Sequence, residues 1–180
     1  IQCMNEYNIK YSAVSCVTKD IIRDNDRVAN AIKRYPDRII GLAHIDPTAG
    51  EDAVKEIDRC MKAGFRGIKL HPHYDAYNMY DLNLVSPVME KASKERLPVL
   101  IHTGTCPMTL PIHVGYVAQH FPEIPIICAH MEIADSLPES IEAARMSKNI
   151  YLDTACSAAA FVVEKIIKKV GAERVMWGSD

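Results

Sequence analysis

Seven strand-sized apolar runs, alternating with helical patterns, limit this 180-residue chain more than any other feature. The runs occupy residues 11–17, 38–44, 65–71, 98–102, 124–130, 149–154 and 174–180. Between them, apolar residues recur at helical spacing, as with Val28, Ala29 and Ile32, or Val54, Ile57 and Met61. No Asn-Gly hairpin signal joins consecutive runs. Apolar strands separated by helices predict a parallel sheet covered by those helices. An open doubly wound sheet is disfavoured because no G-x-G-x-x-G phosphate loop is found. A (β/α)8 barrel needs an eighth strand and typically about 250 residues. The expectation is an α/β, TIM-like barrel that is incomplete over 1–180: strands 2–8 in one domain, without the first strand and last helix. The beginning, IQCMNEY, and the end, RVMWGSD, read as cut from something longer.

Local signals predict the element boundaries. Asp24 or Asn25 is placed to cap a helix over 24–35, and Thr48 with Glu51 has capping-box spacing. Ser86-Pro87 reads as a cap followed by proline at the first helical position. Ser157 opens a last helix that buries Phe161, Val162, Ile166 and Ile167 and closes at Gly171.

Composition removes several classes of function. Net charge is −2 and no block of lysine or arginine occurs, which disfavours nucleic acid and anionic membranes as partners. The apolar runs are too short to span a bilayer. The six cysteines form no C-x-x-C pair, a usage that suits reduced thiols and a cytoplasmic setting. Cys106 and Cys156 follow strands, where a reactive role stays open beside the plainer packing one.

The strand ends concentrate the chemistry. His44, His71, His102, His130, Asp153 and Asp180 each close a run, and four of the seven histidines fall there. In a barrel these ends form the active face. Converging imidazoles and carboxylates suit a divalent ion and acid–base catalysis. One such histidine alone reads as structural; the set reads as a site. His71-Pro72-His73 has metal-pair spacing, but Pro72 breaks the strand. Lys69, just below the rim, is either a site cation or a snorkelling side chain. His113 and His120 lie on a helix and read as packing or surface residues, and Cys128 as a core thiol.

GFRGIKLHP (64–72), PVLIHTG (98–104), IICAHM (126–131), NIYLDTA (149–155) and RVMWGSD (174–180), in that order, resemble the amidohydrolase-related family, often called amidohydrolase 2. The resemblance implies a barrel holding one divalent ion, usually zinc, with manganese or iron as alternatives. By it, His102 and Asp180 are metal ligands, and His130 and Asp180 are catalytic: His130 orients the metal-bound water and Asp180 accepts its proton. His71, with Lys69, lines the substrate pocket. The family's first-strand H-x-H pair is missing, so this piece alone is expected to bind metal weakly and to lack activity. The implied function of the intact protein is hydrolysis of a lactone, ester or amide of a small carboxylated molecule. Nonoxidative decarboxylation within the family is the alternative; a non-catalytic binding module is the other, should the chain truly start at Ile1. A small-molecule substrate is the expected partner, and a homo-oligomer is compatible with this reading.

Overall fold

Runs such as Gly67–Leu70 and Val99–His102 become strands because both of their faces find cover. In the computed structural model, which describes residues 1–131, 133, 136–157 and 160–180, Ile68, Leu70, Val99 and Ile101 have no exposure. The strands are β1 (Ser12–Val14), β2 (Ile39–His44), β3 (Gly67–Leu70), β4 (Val99–His102), β5 (Ile126–Ala129), β6 (Ile150–Asp153) and β7 (Val175–Met176). All neighbours pair in parallel and follow sequence order, β1 through β7. Residues from every strand line one common cavity, so the sheet curls around it as an incomplete barrel.

The helices are α1 (Gln2–Glu6), α2 (Ile21–Arg34), α3 (Glu51–Lys62), α4 (Pro72–Asp75), α5 (Leu82–Glu95), α6 (Pro111–His120), α7 (Leu137–Met146) and α8 (Ala160–Val170). Alternation sets which strand residues meet them. Ile68, Leu70, Ile101, Cys128 and Leu152 join the core under the helices, while Leu42, Leu100 and Ile127 face the cavity. Among the described residues, no helix is long and apolar enough to cross a membrane.

Several caps differ from the sequence expectation. Asp20 caps α2 by accepting from the Arg23 N–H at 3.2 Å. Asp24 and Asn25 are buried and bonded to other segments instead: Asp24 to the Thr18 N–H, Asn25 to His44 and Glu56. The Thr48–Glu51 capping box does not form. Asp46 caps a 3₁₀ turn over Pro47–Ala49, and α3 then starts after Gly50 at φ 59°. Pro87 lies inside α5, which begins five residues earlier under an Asp81 cap. Asp81 competes successfully because its carboxylate reaches the Leu84 N–H. On α8, Val162 and Ile166 are buried as expected, but Phe161 and Ile167 face solvent. The opening of that helix at Ser157 falls partly outside the described residues.

Candidate active site

A cavity of about 630 Å³ lies inside the curled sheet. Its lower sides are apolar, with Val14, Leu42, Leu100 and Ile127 among them. Its C-terminal rim carries His71, His102, His130, Asp153 and Asp180, with Lys69 just below them. All five side chains expected from sequence to serve the site therefore meet at one cavity.

Lys69 points inward from the middle of β3 and is only 6% exposed, which removes the snorkelling alternative. Burial lowers its pKa to about 8, with Asp153 and Asp180 partly offsetting that effect. At neutral pH it remains a cation. His71, two residues on, faces the same way, and its ring stacks on His102 with centroids 3.9 Å apart. His71 Nδ1 accepts the Tyr74 N–H at 3.2 Å, so in the neutral ring the proton sits on Nε2. Burial, then repulsion from Lys69, lowers the His71 pKa to about 4. This ring offers the cavity a donor N–H, which suits substrate binding better than a metal pair with His73.

His102 ends β4. Burial first, then the neighbouring His71 and Lys69, lower its pKa to about 3, which keeps the imidazole neutral. Thr105 Oγ1 lies 2.9 Å from His102 Nε2 and 2.8 Å from His73 Nδ1. A hydroxyl has one proton, so it donates to one ring and accepts from the other. The turn that brings Thr105 back requires Gly104 at φ 93°. A Cβ there would come within 2.4 Å of Ile133 Cγ2 and 2.8 Å of Ser136 Oγ.

His130 reaches the cavity by a different route. Ile127 and Ala129 face inward, so simple alternation would send residue 130 outward with Cys128. Instead, His130 adopts φ 65°, and its backbone N–H donates to Asp153 Oδ1 at 2.9 Å. The left-handed residue turns the ring over the cavity, 4.8 Å from the His102 centroid. Asp153 uses the same oxygen to accept from the Ala155 N–H, so it anchors two strand ends. Asp180 Oδ1 lies 4.0 Å from His130 Nε2, and Asp180 Oδ2 accepts from the Cys156 thiol at 3.3 Å.

His44 is not part of this group. Its ring is fully buried and bonded to Asp75 Oδ2 of α4 at 2.8 Å. Its N–H and carbonyl are taken by Asn25, each at 2.9 Å. It is a structural histidine. Thr105, Asn25, Asp75 and the approach of Cys156 to Asp180 are contacts that sequence reasoning missed. Of these, only Cys156 gave a signal, through its position just beyond a strand.

The donor set fits a divalent cation. His102 is held neutral and lines the same cavity, and His130 Nε2 faces the Asp180 carboxylate at 4.0 Å without a hydrogen bond. Ligand atoms of His130, Cys156 and Asp180 lie within 4.8 Å of one another. Imidazole and carboxylate together suit zinc, manganese or iron.

Comparison with known proteins agrees with this architecture. A 2,6-dihydroxybenzoate decarboxylase complexed with 2,6-dihydroxybenzoate superposes with a TM-score of 0.78 at 18% identity, over 99% of this chain and 75% of that one. A 5-carboxyvanillate decarboxylase from Novosphingobium aromaticivorans, complexed with manganese and 4-hydroxy-3-methoxy-5-nitrobenzoic acid, gives 0.78 at 20% identity, over 98% and 68%. These likenesses establish the common fold. In sequence, 79 residues are 30% identical to a 2-amino-3-carboxymuconate-6-semialdehyde decarboxylase of Dictyostelium discoideum, covering 43% of this chain and 22% of that protein. The chain thus matches well under half of that curated relative's length. The amidohydrolase family model matches residues 9–180, from just before β1 through Asp180, and the chain belongs to that family.

Proposed function

We propose that this chain forms the catalytic wall of a divalent-metal-dependent, nonoxidative decarboxylase acting on a small aromatic or unsaturated carboxylate. The observation that carries this reading is the buried Lys69 ammonium facing an apolar-sided cavity beneath the histidines. That cation gives a substrate anion its counter-charge. Leu42, Leu100 and Ile127 give a flat, unsaturated body its packing surface. An environment poor in water favours dispersing the charge of a carboxylate, which happens as carbon dioxide departs. The decarboxylases among the similar proteins support this choice over hydrolysis, the function expected from sequence.

His102 and Asp180 would hold the ion, which supplies Lewis acidity toward substrate oxygens. Manganese, named with the 5-carboxyvanillate decarboxylase, is as well supported here as the zinc expected from sequence. Loss of carbon dioxide breaks a carbon–carbon bond and leaves its electron pair on the substrate. That carbon then takes a proton. His130 and Asp180, at adjacent positions on the rim, are the groups placed to deliver it. His71 donates its Nε2–H toward the bound molecule, and Lys69 fixes its anionic end.

The test uses the intact protein, loaded in turn with manganese and zinc, against a panel of hydroxybenzoates, unsaturated carboxylates and lactones in deuterated water. The expected result is carbon dioxide release with one solvent deuterium at the vacated carbon, and loss of both metal and activity in His102→Ala. Lactone opening without carbon dioxide release from any carboxylate would restore the hydrolase reading.

A further inference from the structure

His130, Cys156 and Asp180 leave the ends of β5, β6 and β7 and turn toward a single point, their ligand atoms within 4.8 Å of one another. The Cys156 thiol is accessible, and its sulfur lies 3.3 Å from Asp180 Oδ2. The His130 side chain is only 7% exposed and aims its Nε2 at this point. Its Nε2 faces Asp180 at 4.0 Å, beyond hydrogen-bond reach. A buried imidazole left so poorly satisfied, beside a carboxylate and a thiol, marks a place where a further atom belongs.

Two other uses of this thiol fit less well. All six cysteines are free, so Cys156 is not held in a disulfide in this fold. As a nucleophile it would need a neighbour that favours the thiolate, and its bonded partner is an anionic oxygen, which favours the thiol. A cation at the same point removes that obstacle, because coordinated thiols bind as thiolates.

We propose that Cys156 is a sulfur ligand to the divalent ion held at Asp180, with His130 alongside, and that it tunes the site toward zinc over manganese. The inference rests on the metal-dependent reading above. On binding, a sulfur–metal bond replaces the S–H bond and the proton leaves to solvent, with no change of oxidation state. Thiolates favour zinc, whereas manganese favours oxygen donors. The site is therefore predicted to be more thiophilic than a purely imidazole–carboxylate one.

Cobalt substitution of the intact, metal-stripped protein reads this directly. The expected result is a near-ultraviolet thiolate-to-cobalt charge-transfer band that saturates at about one cobalt per chain. Cys156→Ser and Cys156→Gly should keep the cobalt and lose the band. The glycine variant guards against misfolding, since Cys156 sits at φ 60°, where glycine is at ease. Zinc-over-manganese preference, measured by competition, should fall roughly tenfold in both variants. Bound cobalt without the band, or a band that survives Cys156→Ser, overturns the ligand assignment while the metal site stands. Failure of the wild-type protein to bind cobalt, zinc or manganese overturns the metal reading and this inference with it.

Discussion

Lys69 shows how far a single side chain can be placed against the interest of stability. Its pKa falls from 10.5 to about 8 on folding, so the folded state holds its proton less firmly than the unfolded chain does. Below pH 8 both states are protonated, and the full cost of burying the ammonium, about 3 kcal/mol, is present. Between pH 8 and 10.5 the unfolded chain binds more protons, so that cost is progressively relieved as pH rises. Lys69→Met should accordingly stabilise the protein by about 1–3 kcal/mol at pH 7 in urea denaturation. Its advantage should shrink above pH 8, and substrate turnover should be lost. A variant less stable than wild type at pH 7 would show that Lys69 has a compensating partner in the barrel.

At the scale of elements, Asn25 does for β2 what a neighbouring strand would do. From α2, its side chain accepts the His44 N–H and donates to the His44 carbonyl, each at 2.9 Å, and to Glu56 at 2.7 Å. Asn25→Leu keeps the volume but leaves those backbone groups buried and unpaired. A loss of about 2–4 kcal/mol is expected in denaturant unfolding. Partners of this kind explain what could and could not be read from the sequence. The strands were legible because parallel strands covered on both faces read as apolar runs. Their histidine and aspartate ends followed directly. The cap at Asp24 or Asn25, the Thr48–Glu51 box and the start of α5 were misread because each was decided by contacts or competitors outside the local pattern. His44 and His102 end their strands alike, and only the distant Asp75 and Asn25 make the first one structural. His130 presents the opposite case. Its presence at the rim was legible, but its inward aim depends on a left-handed φ that no residue pattern announces.

Across the whole molecule, the neutral histidines couple the site to acid stability. His71 and His102 have pKa values of about 4 and about 3 in the fold, against 6.5 in the unfolded chain. As pH falls below about 6.5 the unfolded chain takes up protons first, so stability declines through that window. Glu56, although partly buried, is held below its usual range by Arg59 and Asn25, and it adds a loss at still lower pH. In the metal-free protein, the urea midpoint should fall steadily between about pH 6.5 and 4. His71→Asn should roughly halve the slope of that decline across the window, leaving the part that belongs to His102. An unchanged slope would mean that the His71 ring is not desolvated as the fold implies.

Because the sheet runs β1 through β7 in chain order, a chain emerging from the ribosome can pair each strand with the one made just before it. Lys69, His71 and His102 are in place once β4 has joined, but Asp180 arrives only after β7. A chain made only as far as β4 has Lys69, His71 and His102 but neither Asp153 nor Asp180, the carboxylates that offset the burial of Lys69. The order of synthesis thus brings Asp180 to the cavity only after β1 through β7 are available to pair.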